Sequence, residues 1–214
     1  MHTTASAHKA LYIDRIPSLN LVPEQFRPTI ATIMFTDVED STGLASALGL
    51  VETTHFLIEH VALTQQVVLK HGGIVQNFTG DGVLALWLGT QMHPRDTALR
   101  ALAAVADLAP EISISNARRR SHGLLTRRIR IGLHTGEVMF VNDCQRDFSF
   151  VVGSEVNFAR RVEQAGKKED REGVDTLVMV SGATLHLADC SAGLADPYCL
   201  VRLTTVELSA LRCK

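Results

Sequence analysis

Residues 31–35, ATIMF, carry no charge and are apolar but for one threonine, and they run directly into TDVED, which carries Asp37, Glu39 and Asp40. A short, β-branched, almost wholly apolar run predicts a buried strand. Such a strand needs partners in a sheet and a layer packed over it, which commits the chain to a layered fold. With 214 residues there is room for one good-sized core, and 46% hydrophobic with 21% charged residues is the mix of a globular domain. Three carboxylates at the mouth of a strand either cap a helix or hold a metal ion, and the local sequence leaves both open.

The rest of the chain supplies the partners. Residues 1–28 are polar and close on PEQFRP, an N-terminal arm; residues 29–214 read as one domain. Ser41 and Thr42 offer N-cap chemistry to a helix ending near Leu50, and a second helix covers about 52–70 until HGG stops it. IVQNF (74–78) and GVLALW (82–87) predict a hairpin with Asp81 at its turn. Pro94 opens the helix DTALRALAAVADLA, and RRRSHG (118–123) reads as a solvated loop. RIRIGLHTGEVMFV (128–141) predicts two strands with a turn at Gly136. FSFVVG (148–153) is a strand and SEVNFARRVEQAG (154–166) a helix closed by Gly166. TLVMV (176–180) and YCLVRL (198–203) are late strands with a helix, Gly182–Ala188, between them. This order predicts an α+β fold: a ferredoxin-like βαββαβ core, its mixed antiparallel sheet covered by helices on one face.

Several function classes drop out. A formal charge of −2 gives no general reason to bind nucleic acid or an anionic membrane. No apolar run approaches the roughly 18 residues of a membrane span, and the N-terminus lacks a secretory apolar core. Cys144, Cys190, Cys199 and Cys213 show no C-x-x-C spacing and read as reduced thiols of a cytoplasmic protein.

If the strands carrying Asp37 and Asp81 are neighbours, both carboxylates emerge at one sheet edge. Such a pair is costly unless a proton or a divalent cation neutralises it. Mg²⁺ and Mn²⁺ suit it, being hard ions that take one or two carboxylates and fill the rest with phosphate oxygens and water. Backbone N–H groups over Glu39, Asp40, Ser41 and Thr42, where the helix begins, then cradle phosphate. The plain alternative is that Asp37 and Asp40 cap a helix and Asp81 fills a turn. In GSEVNFARRVEQAG, Asn157 and Arg161 share a helix face, an amide and a guanidinium suited to phosphate.

Taken together, FTDVEDST, HGGIVQNFTGDGVLA, RIRIGLHTGEV and VVGSEVNFARRVE resemble the class III nucleotide cyclase catalytic domain, in the family's order and over about residues 30–185. The resemblance implies a homodimer with two shared active sites. One chain supplies metal ligands, here Asp37, Asp81 and the Val38 carbonyl, for two divalent cations, Mn²⁺ or Mg²⁺. The other supplies the transition-state residues, here Asn157 and Arg161. A nucleoside triphosphate would be closed to its 3′,5′-cyclic monophosphate with release of pyrophosphate. A non-catalytic nucleotide-sensing module on the same fold is the competing reading, and this chain keeps all four chemical positions. A palm-type polymerase would need a basic templating groove that neither charge nor length offers.

Two positions depart from the family. Adenylate cyclases usually carry Lys four residues before the second metal Asp, and Asp or Thr seven residues before the transition-state Asn. Here those places hold Asn77 and Phe150. An amide can pair with the edge of uracil or cytosine, and a ring can stack on the base or fill a purine's second-ring space. The combination looks like the bacterial anti-phage pyrimidine cyclases, which make cyclic UMP or cyclic CMP for a separate effector, so UTP or CTP is the expected substrate. A one-residue slip along F-S-F would instead give Ser149 the polar place and return a purine cyclase. Asp40 stands where many relatives have Gly and reads as a solvent-facing cap. Lys167, Lys168 and Arg202 are candidates for the terminal phosphates, with none assigned. His134 reads as a packed, hydrogen-bonded histidine.

Overall fold

A computed structural model describes residues 28–143, 148–169, 173–190 and 196–211. The predicted arm, Cys144 and Cys213 lie outside them. Strands β1 (Pro28–Val38), β2 (Ile74–Thr79), β3 (Gly82–Leu88), β4 (Ile129–Asp143), β5 (Phe148–Val152), β6 (Thr176–Ser181) and β7 (Leu200–Leu203) form one seven-stranded sheet. Its order is β2-β3-β1-β4-β6-β7, with β5 paired to β4. β4 and β6 run parallel; the other pairs are antiparallel. The helices are α1 (Ser41–Lys70), α2 (Pro94–Ser121), α3 (Ser154–Ala165), α4 (Gly182–Leu187) and α5 (Thr205–Leu211). The predicted βαββαβ order and the α+β class are both present.

β1 is central, and its alternation feeds two cores. Ala31, Ile33 and Phe35 pack with Leu84, Leu86, Leu88 and Ala159 of α3. Met34 and Val38 face the other way, into a larger cluster with Phe56, Val68, Trp87, Ala98 and Leu102 from α1, β3 and α2. Helices therefore cover both faces, not one. Periodicity marks which side chains of α3 are buried but not the sheet face they meet. Each large side chain buried this way contributes roughly 1.5–3 kcal/mol relative to exposure.

The break between two helical segments appears inside α1, where Gly49 leaves helical geometry at φ 77°, ψ 170°. Such a conformation suits glycine because a Cβ would strain it. The stretch RRRSHG is not a loop: α2 continues through Pro110 to Ser121. Its basic run forms the last helical turn, where cations complement the helix dipole. Arg119 there meets Glu59 at 2.9 Å, and Arg120 meets Asp175 at 3.2 Å.

Residues 129–143 are one strand, with no turn at Gly136, which pairs with Ala31 in the β1–β4 ladder. Gly136 is small for a different reason: a Cβ there would lie 2.6 Å from the Glu155 side chain. Gly132 is tighter still, since its Cβ would fall 2.4 Å from the Glu163 amide nitrogen. The glycines thus let α3 lie directly on β4. Gly132→Ala is accordingly expected to push α3 off the strand and cost about 1–3 kcal/mol, read as a lower urea midpoint. No helix among the described residues is long and apolar enough to cross a membrane.

Candidate active site

Asp37 lies at the C-terminal end of β1, 8% exposed. The β1–β3 register pairs Phe35 with Leu84. Carried two residues on, it sets Asp37 opposite Gly82, beside Asp81 on the β2–β3 turn. The fold thus brings the two carboxylates to one edge, as the hairpin predicts. Burial raises the Asp37 carboxyl above its ordinary pKa; Glu163 and Asp81 add to the rise, and Arg130 and Arg160 oppose it. The charged form of Asp37 is disfavoured in the chain alone, and a divalent cation would reverse that balance.

Asp37 is not alone at the strand end. Arg130 of β4 bonds it directly through Nη2 and donates from Nε to Glu163 Oε1 at 2.7 Å. Arg160 stands 3.7 Å from both Asp37 and Glu163, its guanidinium above the Phe35 ring. Glu163 is wholly buried. This cluster escaped the sequence reading. A signal existed in RIRIG, whose alternation puts Arg130 on the same strand face as the helix-packed Gly132, where a charge requires partners. Counting Asp81, three carboxylates face two guanidiniums, so the neighbourhood accommodates added positive charge. Among the described residues no group of three or more His, Cys, Asp or Glu is placed to enclose a metal. The Asp37–Asp81 pair fits a hard ion that draws its remaining ligands from phosphate and water.

The loop that follows is tighter than expected. Asp40 itself, rather than Ser41 or Thr42, caps α1 in left-handed geometry (φ 51°), its Oδ1 accepting from the Gly43 amide at 3.1 Å. The Glu39 amide donates to the Arg128 carbonyl at 2.8 Å. With its amide engaged, Glu39 drops out of the predicted phosphate-cradling amides, which leaves those of Asp40, Ser41 and Thr42. A groove of about 460 Å³ beside the loop is lined by Glu39, Asp40, Leu44 and Arg128 among others, and includes neither Asp37 nor Asp81.

Asn157 and Arg161 are exposed on α3, the latter 5.3 Å above the Phe158 ring. Arg160, one position earlier, turns inward to Asp37. Arg160 thus meets its own chain's Asp37, while Asn157 and Arg161 are left open to solvent. Asn77 is on β2 opposite Leu84, just past a bulge at Gln76, and Phe150 is half-buried on β5 opposite Val141. β2 and β5 are joined where Gln76 Nε2 donates to the Ser149 carbonyl at 2.6 Å, so the two departing positions lie on touching strands. Ser149 is exposed and its hydroxyl meets Gln76 Oε1 at 3.3 Å. His134 is buried as expected, bonded to Ser181 and Glu155. Lys167 and Lys168 are exposed, and Arg202 stands 3.9 Å from Glu169.

A ferredoxin-like core with two carboxylates at the β1 and β2–β3 edge defines an α+β domain with a candidate cation site at that edge. Residues 24–192 match the family described as the adenylate and guanylate cyclase catalytic domain, and the chain belongs to that family. It is 32% identical over 158 residues to adenylate cyclase 1 of Rhizobium meliloti, covering 72% of this chain and 23% of that protein. To the adenylate cyclase of Anabaena cylindrica it is 27% identical over 140 residues, 64% of this chain and 27% of that one. The chain thus spans about a quarter of the length of these curated relatives. Among solved structures, the guanylyl cyclase Cya2 superposes with a TM-score of 0.65 at 27% identity, over 76% of this chain and 80% of that chain. The adenylyl cyclase CyaB from P. aeruginosa shares the fold with a TM-score of 0.69 at 21% identity, over 83% and 95%.

Proposed function

We propose that this chain is a nucleotide cyclase that works as a homodimer, each active site drawing on both copies. The observation that carries the reading is the meeting of Asp37 and Asp81 at one sheet edge of a chain in this family, while Asn157 and Arg161 face outward. Two divalent cations, Mg²⁺ or Mn²⁺, held by Asp37, Asp81 and the Val38 carbonyl, would supply Lewis acidity to the triphosphate and the ribose 3′-hydroxyl. The 3′-hydroxyl gives up its proton to water, its oxygen bonds to the α-phosphorus, and the bond from that phosphorus to pyrophosphate breaks. Arg130 and Arg160, already beside Asp37, are the nearest cations for the phosphates, with the Ser41 and Thr42 amides adjoining. Asn157 and Arg161 of a second copy orient the ribose and stabilise charge on the transferring phosphorus. A two-fold dimer supplies both half-sites twice, because one surface carries each.

For the base we favour a pyrimidine, UTP or CTP, on the strength of Asn77 and Phe150. A site lacking the adenine-reading pair forfeits the strong discrimination that buried hydrogen bonds confer. The anti-phage setting and its separate effector are carried by that same resemblance. The purine reading has its own support in relatives named adenylate cyclases and in the polar Ser149 beside Gln76. Purified protein with Mn²⁺ and each of ATP, GTP, CTP and UTP separates these, products being resolved chromatographically. Cyclic UMP or cyclic CMP is the expected product; product from ATP or GTP alone removes the pyrimidine assignment. No cyclic product from any of the four removes the enzyme assignment.

A further inference from the structure

Thr36 precedes Asp37 on β1, and its side chain turns the opposite way, toward α1, where it is fully buried. The β1–β3 pairing ends at Phe35 with Leu84. One step beyond, the Val83 amide donates to Thr36 Oγ1 at 3.1 Å, and the same oxygen meets His60 Nε2 at 3.2 Å. His60 lies on α1 and is 0% exposed. Burial, aided by Arg127 and opposed by Asp81, pushes its pKa down to about 4, so the imidazole is neutral. Val83 N–H donates to the hydroxyl, and the hydroxyl donates to Nε2 in the tautomer that carries its proton on Nδ1. His60 Nδ1 has no partner among the described residues. An apolar side chain would fill this place beside Phe56 and Val67 without stranding a ring nitrogen, so packing does not account for an imidazole here.

Through one hydroxyl, His60 grips β1 one residue before Asp37 and β3 two residues after Asp81. It does so where the backbone ladder has ended and two carboxylates repel. We propose that His60, acting through Thr36, is a positioning residue that fixes the spacing of Asp37 and Asp81 for cation binding. This rests on the reading of those aspartates as metal ligands. Partners one layer behind a ligand commonly change metal affinity 10- to 100-fold when removed, because ligand distances must hold within tenths of an ångström.

Mn²⁺ alone, titrated into the full chain and followed by its electron paramagnetic resonance, tests this without relying on turnover. Thr36→Val and His60→Leu are each expected to weaken Mn²⁺ binding about 10- to 100-fold. Thr36→Ser should recover most of what Thr36→Val loses, and the double variant should be no weaker than the worse single one. Wild-type affinity in folded Thr36→Val protein overturns the proposal, as does a loss that Thr36→Ser does not repair. If His60→Leu fails to fold, the two Thr36 variants carry the test. Failure of the underlying metal reading looks different: unaltered protein then binds no Mn²⁺, or Asp81→Ala keeps full affinity, and this role for His60 falls with it.

Discussion

Mixing Asp37→Ala protein with Arg161→Ala protein is expected to restore cyclic product that neither makes alone. Each variant by itself should lose about 10²–10³-fold or more in turnover, since one removes a proposed ligand of the cations and the other a guanidinium proposed to meet the charge of the transition state. In a mixed dimer one site carries both lesions and the other carries none. Random pairing makes half of all dimers mixed, with one competent site of two, so recovery should reach about a quarter of unaltered activity. The geometry behind this is the division of α3. Arg160 turns inward to its own Asp37, whereas Asn157 and Arg161 are exposed. Because Asp37 also balances Arg130, Asp81→Ala is the second donor for the experiment, its residue lying on a turn and only partly buried. Product restored by neither pairing would argue against shared sites.

The largest loss of stability is expected from Glu163→Ala. Glu163 is 0% exposed and takes the Arg130 Nε–H at 2.7 Å, with Arg160 at 3.7 Å. Removing one partner of a buried ion pair strands the other, which typically costs about 3–5 kcal/mol. Here Arg130 would keep only Asp37, the carboxylate that we propose to share with a cation. Glu163→Gln preserves shape and one acceptor, so it should cost clearly less. Urea unfolding of both variants at neutral pH measures the difference. Equal midpoints for Ala and Gln would mean that the shape and acceptor kept by Gln contribute nothing, and unaltered midpoints in both would mean that the ion cluster adds no net stability.

Much of this architecture was legible because local patterns agreed with one another. ATIMF gave a buried strand, HGG a helix stop, and the pair flanking Asp81 a hairpin, and register then placed Asp81 near Asp37. What escaped was information held between distant segments. Gly136 looks like a turn residue until α3 is laid against it; only then is its missing Cβ seen as clearance for Glu155. Arg130 and Glu163 are 33 residues apart and find each other across a strand–helix contact. Asp40 was legible as a cap, but its left-handed backbone was not, since Asp tolerates that region without a marker in the sequence. The proposed base choice rests on Asn77 and Phe150, which the sequence singles out and which lie on strands joined through Gln76 and Ser149.

The unbroken course of β4 has a mechanical meaning. At one end it supports Arg130 against Asp37; along its length it is the bed for α3, through Gly132, His134 and Gly136. It is hydrogen-bonded to three other strands. A strand braced in this way ties the Asp37 edge and α3 of one subunit to a common support. In the two-fold assembly proposed above each subunit would feed opposite catalytic centres, so a strain arising at one centre would have a path to the other inside a subunit, without crossing the seam between them.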